Sequence, residues 1–207
     1  MGQKTESEKE WDNRRQFFML LGECINSWAI VENCLSMCFQ KITGMEQSMA
    51  QKIFYSTSGF GSRATMFSVA IDASGLGPLR KDYLKKLISK ARNHSSARNK
   101  IMHGNVVYIG ESHPHYPRQY VIIRGGNSPV SLDEPKDVLK EENLGIILSN
   151  FANLIICCHA AAHWDYAAPE IAPLNFLELV EKLPTEVHCT RLDPSTAAKF
   201  RPSGPVT

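Results

Sequence analysis

Apolar residues recur every three to four positions from Trp11 to about Thr43, where Gly44 stops the run, and this period predicts one long first helix. Thr5-Glu6-Ser7-Glu8 ahead of it has the spacing of a capping box. A second, short helix is expected from Met45 to Tyr55 and, after the Ser/Gly-rich loop from Ser56 to Gly61, a third from Ser62 to Ala73. Ser74-Gly75-Leu76-Gly77-Pro78 breaks the chain. The fourth helix, Pro78 to His103, opens on proline and is followed by Gly104, the asymmetry expected of a helix start and stop. The pattern then becomes β-branched and aromatic at Asn105 to Ile109 and at Gln119 to Arg124, with the Pro/His loop Glu111 to Arg118 between, so the two runs form a small hairpin inserted in a helical chain. A fifth helix runs from Pro135 or Glu141 to Tyr166 with Ile147, Phe151, Leu154, Cys158 and Ala162 along its apolar side. From Ala167 the chain is rich in proline, with one short helix expected over Asn175 to Lys182 and a weakly ordered tail from Thr185. The fold class is therefore all-α: a bundle of four to five helices with a β-hairpin insertion near 105–124, one domain over 1–166 and a partly disordered, Pro-containing C-terminal extension over 167–207.

Two apolar stripes contain a charge. On the first helix the stripe is Phe17, Leu21, Cys24, Ile25, Trp28, Leu35, Phe39 and Ile42, and the ~100° step per residue places Glu32 within it. On the fourth helix the same count puts Arg98 among Leu84, Leu87, Ile88, Ala91 and Met102. A guanidinium that cannot lose its proton needs a carboxylate, a phosphate or a partner subunit when it packs inward, so Glu32 and Arg98 are expected to meet. The expectation is either a structural salt bridge or an Arg98 held by Glu32 at the border of a dimer cleft and offered to a phosphate.

Composition narrows the context. The 207 residues with 43% hydrophobic content support a sizeable core, which excludes a chain disordered throughout. The six cysteines, Cys24, Cys34, Cys38, Cys157, Cys158 and Cys189, show no paired CxxC spacing and mostly sit in apolar helical runs, as reduced thiols packing as small hydrophobes do. The polar segment Met1 to Trp11 lacks the apolar core of a signal peptide, and no apolar run reaches the ~18 residues of a membrane span, so a soluble protein of the cytoplasm with no membrane partner is expected. The net charge of +2 argues against a globally basic nucleic-acid binder. Its distribution changes that picture: Arg80 to His103 holds eight Lys or Arg against the single acid Asp82, so the segment carries +7 and leaves −5 to the rest.

Within that basic helix Arg92, Ser96, Asn99 and His103 recur at four, three and four residues and so line one side, a strip suited with Lys100 to contacting RNA. His103 sits in the last turn, where the helix dipole favours its protonated form, while Arg92, Arg98 and Lys100 favour the neutral one. Such opposed influences suit an imidazole that must both take and give a proton. Arg98 and His103 are ~140° apart round the helix, so they do not project side by side, and a two-fold interface would let residues of two copies converge on one phosphate.

Arg98-Asn99-x-x-x-His103 resembles the Arg-x4-6-His motif, often with Asn after the Arg, of the HEPN (higher eukaryotes and prokaryotes nucleotide-binding) superfamily. Trp28-Ala29-Ile30-Val31-Glu32 is similar to the aromatic and Glu pattern many members carry on their first long helix. The resemblance covers roughly Trp11 to Gly104 and Glu141 to Tyr166; the hairpin and the chain from Ala167 depart from it. It implies an all-α bundle that forms a homodimer with two motifs facing one cleft and, in active members, a metal-independent endoribonuclease without cofactor. Carried over, His103 acts as general base or acid at the ribose 2′-hydroxyl or the leaving oxygen, Arg98 binds the scissile phosphate, Asn99 orients the phosphate or His103, and Glu32 supports Arg98. Many members are toxins restrained by an antitoxin, or act in antiviral defence; others have lost activity and serve as nucleotide- or protein-binding modules.

Other signals carry less. His159 and His163 are four apart with Asp165 nearby, but no zincin-type glutamate follows His159, and no metal site is expected. His113 and His115 are expected in solvent, and Gly59-Phe60-Gly61 is too short for a phosphate loop. Tyr108, Tyr116 and Tyr120 of the hairpin either stack on bases or pack along the strand edge.

Overall fold

A computed structural model describes residues 5–109, 119–124, 138–162 and 180–182. Among the described residues the chain is mostly helical, with five helices and one small antiparallel sheet: α1 (Glu6–Thr43), α2 (Gln47–Ser56), α3 (Phe60–Ala73), α4 (Pro78–His103), β1 (Gly104–Ile109), β2 (Gln119–Arg124), β3 (Val138–Leu139) and α5 (Glu141–Ala162). Each helix has a local reason to start or stop. At α1 the Thr5 amide donates to Glu8 Oε2 at 2.7 Å and the Glu8 amide donates to Thr5 Oγ1 at 3.3 Å, the reciprocal pair of a capping box. The first of these bonds, with a further one from the Thr5 hydroxyl, lowers the Glu8 carboxyl from its ordinary range. Gly44 ends α1 at φ 66°, a left-handed conformation that glycine adopts without strain, and its amide closes on Gln40 O at 2.9 Å. The second helix begins two residues later than expected because the Glu46 carboxylate caps it, accepting from the amides of Ser48 and Met49.

The described residues divide into two compact units, each treated by itself. The first unit comprises 5–22, 99–109, 119–124 and 138–146. Its sheet has the order β1-β2-β3, with Gly104 opposite Arg124 and Ile109 opposite Gln119, and Ile122 and Ile123 opposite Leu139 and Val138. The hairpin is where the strand pattern placed it; the third strand is a correction, because two residues are too short to show a period. Val121, Ile123 and Val138 form a small core with Val107 and Ile109 against it. Tyr120 reaches α1, its ring 5.9 Å from Phe17 and 5.8 Å from Phe18.

The second unit comprises 23–98, 147–162 and 180–182 and holds the helical core. Trp28 lies against Phe60 and Phe151, with ring centroids 5.0 and 5.1 Å away, and Phe39 packs on Phe54 and Phe67. Buried aromatics of this kind contribute area first and edge-to-face attraction second. Tyr83, fully buried, donates its hydroxyl to Cys157 O at 2.7 Å, and Cys38 Sγ donates to Cys158 O at 3.4 Å. The expected stripe of α5 is buried throughout. On α1 Phe17, Cys24, Trp28, Leu35 and Phe39 of the stripe are buried, Leu21 and Ile42 are half-buried and Ile25 is 40% exposed, because the 3.6-residue drift carries the buried line through Val31, Cys34 and Cys38. On α4 it runs Leu84, Leu87, Ile88, Ala91, His94, Ala97 and Ile101, and Met102, a full step past Ile101, is exposed.

By length and composition α5 is apolar enough to cross a membrane, contrary to the expectation that no run reaches that length. The expected helix over 175–182 falls almost wholly outside the described residues, as do the tail, His113, His115, Tyr116, His163, Asp165 and Cys189.

Candidate active site at the end of helix four

The last turn of α4 is held by steric fit at Gly104. A Cβ added there would stand 2.2 Å from Ile122 Cγ2, 2.5 Å from Lys100 O and 3.1 Å from Ile123 O, so β2 closes directly over the helix end and leaves no room for a side chain. His103 is the last helical residue before the sheet begins.

The predicted strip is exposed along its length: Arg92, Ser96, Asn99 and His103 all face solvent, and Arg98 and Lys100 are half-buried. Ser96 Oγ donates to Asn93 O at 2.8 Å, so this hydroxyl turns back on its own helix, as mid-helix serines do. Among the described residues, the side chains of Arg92 and His103 have neither hydrogen bond nor ion pair, and the Arg92 carbonyl accepts from Ser95 Oγ at 2.7 Å. The boundary between the two units falls between Arg98 and Asn99, within α4.

The basic residues of α4 are not equivalent. Lys85 is paired with Asp72, Lys81 Nζ donates to Asp72 O at 2.9 Å, and Lys86 pairs with Glu181 at 2.8 Å and Asp82 at 3.1 Å. Hydrogen bonds to Glu181 and then Asp82 raise the Lys86 ammonium above its ordinary value. Within the first half of the helix the charges of Lys85 and Lys86 are thus met by carboxylates.

Glu32 has a different partner from the one expected. Its carboxylate is 2.9 Å from Arg63 Nη1, and the two side chains keep only 14% and 16% of their surface exposed. The Arg63 guanidinium also lies over the Tyr55 ring at 5.0 Å and the Phe54 ring at 6.0 Å. The ion pair therefore ties α3 to α1 inside the second unit instead of supporting Arg98. Arg63 escaped the sequence reading, although it lies three residues after Phe60 and four before Phe67 on the buried side of α3, where a charge needs a partner as much as Arg98 does. His94 escaped it too; its spacing of three from both Ala91 and Ala97 was the available signal, and it is buried to 1%.

The thiols offer no nucleophile. Among the described residues Cys24, Cys34, Cys38, Cys157 and Cys158 form no disulfide and are buried, and burial pushes Cys38 up to about 12 and Cys24 and Cys157 to about 11, so none of these is a thiolate near neutral pH. No family model, curated protein or solved structure matches the chain.

Proposed function

We propose that the protein is a metal-independent endoribonuclease of the HEPN type, acting as a homodimer, in which Arg98 and His103 of α4 work on the RNA backbone. The observation that carries this reading is the exposed imidazole of His103, free of hydrogen bonds among the described residues, five residues beyond Arg98 on a helix end clamped by Gly104. A solvent-accessible imidazole at a closely packed helix end is what general acid–base chemistry needs. In the proposed step His103 takes the proton of a ribose 2′-hydroxyl. The 2′-oxygen attacks the adjacent phosphorus, the bond from phosphorus to the 5′-oxygen breaks, and an imidazolium returns a proton to that oxygen. The products are a 2′,3′-cyclic phosphate and a 5′-hydroxyl. Arg98 binds the charge that builds on the phosphate, Asn99 orients the phosphate or His103, and Arg92 with Lys100 and Ser96 holds the flanking chain. Glu32 leaves this set, since its carboxylate serves Arg63. A role as a toxin paired with an antitoxin, or as a defence effector, rests on the family resemblance alone.

Incubation of RNA with the wild-type protein and with His103→Ala, both in chelator, tests the reading. Cleavage by the wild type at a rate about 10²- to 10⁴-fold above the variant is expected. Equal residual cleavage by both ends it. The altered partner of Glu32 favours one other reading, a dimer that binds a nucleotide or a protein without catalysis; binding of RNA and DNA with neither cut would establish that one.

A further inference from the structure

The two edges of the small sheet in the first unit are built differently. At one edge β3 is two residues long, Val138–Leu139, and so short a strand offers little backbone to another. At the other edge β1 runs for six residues, Gly104–Ile109, in unbroken register with β2 from the Gly104–Arg124 pair to the Ile109–Gln119 pair. An antiparallel strand paired on one side points the N–H and C=O of every second residue away from that partner. Among the described residues, no backbone hydrogen bond of Asn105, Val106 or Val107 reaches beyond the β1–β2 pair. Asn105 is exposed, and Val106 is 37% exposed.

Unpaired strand backbone is a template for a further strand, and soluble proteins blunt such an edge with a lysine, a proline or a bulge. None of these guards β1. Its six residues include no charge and no proline, and its register with β2 admits no extra residue. An edge of this kind takes a strand by backbone hydrogen bonding.

Symmetry identifies the occupant. A two-fold axis perpendicular to the sheet sets β1 antiparallel to β1 of a second copy, and side chains share a face only when the paired residue numbers differ by an even count. With the axis at Val106, Val106 meets Val106 of the second copy, Asn105 meets Val107 and Gly104 meets Tyr108. A β-branched pair then stands at the centre, and each Tyr108 ring covers the ladder position where Gly104 has no side chain. Groups near such an axis confront their own copies, so any charge there repels itself. The neutral run from Gly104 to Ile109 meets that condition. A foreign strand imposes no such condition, and charged edge residues would serve it better for specificity.

We infer that β1 is a contact surface for a second copy of this chain: the two β1 edges pair antiparallel about Val106 and join two small sheets into one continuous sheet. This goes beyond the ribonuclease reading, to which it adds the surface by which two copies meet.

The test uses the full chain in a Cys189→Ser background, with Val106→Cys compared against Val69→Cys on α3, a control position that is 63% exposed. Residues opposite one another across the axis hold their Cβ atoms about 5 Å apart, within reach of a short bis-maleimide. Val106→Cys is expected to cross-link into a covalent dimer at least about tenfold faster than Val69→Cys. A second variant, Val106→Lys, sets two ammonium groups against each other at the axis. Sedimentation equilibrium is expected to show a dissociation constant about tenfold above wild type at low salt, with most of the difference gone at about 1 M salt, where screening acts within ~3 Å. A misfolded variant would not recover in this way. Equal cross-linking of the two cysteine variants overturns the edge contact. So does a wild-type protein that sediments as a monomer, or a Val106→Lys dissociation constant equal to that of wild type at low salt. None of these readouts involves RNA, so the edge contact and cleavage by His103 fail separately.

Discussion

The two halves of α4 are both basic and differ in what surrounds them. Lys85 of the first half pairs with the Asp72 carboxylate and Lys86 with Asp82 and Glu181, while Lys81 donates to the Asp72 backbone carbonyl. In the second half Arg92 and His103 stand exposed with no such partner among the described residues. A count of +7 over the helix therefore overstates the field of one half and locates the useful charge in the other. Which cations of α4 have a carboxylate beside them depends on other elements, which no window on a single helix reveals.

That contrast can be broken at several points. The largest effect is expected from Arg98→Ala, which removes the proposed phosphate-binding guanidinium: RNA cleavage should fall by about 10²- to 10³-fold in single-turnover kinetics, and a rate within threefold of wild type would remove Arg98 from the site. Next comes Glu32→Gln, which leaves the largely buried Arg63 without its counter-charge. Denaturant unfolding should show a loss of about 3 kcal/mol, and little loss would mean that water serves Arg63 as well as Glu32 does. Arg92→Ala should weaken RNA binding several-fold and reduce the salt slope of log K by about one, whereas Lys85→Ala, whose charge is already matched by Asp72, should change neither; equal effects from both would erase the distinction between the halves. The smallest effect is on the thiols. In a Cys189→Ser background the folded protein at pH 8 should react with an aromatic disulfide reagent far more slowly than the unfolded chain, because burial holds Cys38 at about 12, so its thiolate fraction grows only as pH approaches that value; rapid labelling of the native state would contradict the burial.

Much of the architecture was legible because it is periodic. The bounds of α4 follow from Pro78 and Gly104, the start of α1 from Thr5 and Glu8, and the hairpin from a switch to β-branched and aromatic residues. Elements with too few residues for a period escaped, as β3 did. Pairings across elements escaped for another reason. Sequence periodicity says that Glu32 faces inward but not which cation reaches it, and Arg63, one helix over from the partner anticipated, closes the pair. The exposed strip of Arg92, Ser96, Asn99 and His103 was readable, since it needs only the helical repeat; the contact of Phe18 with Tyr120 was not, since the two rings meet only through the fold.

The chemistry of the product ends tests the ribonuclease reading most directly. Mass spectrometry of a short RNA digested in chelator is expected to show 2′,3′-cyclic phosphate and 5′-hydroxyl termini, and a substrate with deoxyribose at the cut position should stay whole. Products with 3′-hydroxyl and 5′-phosphate ends, or cleavage of the deoxy substrate at the same bond, would contradict attack by the 2′-hydroxyl and with it the role given to His103.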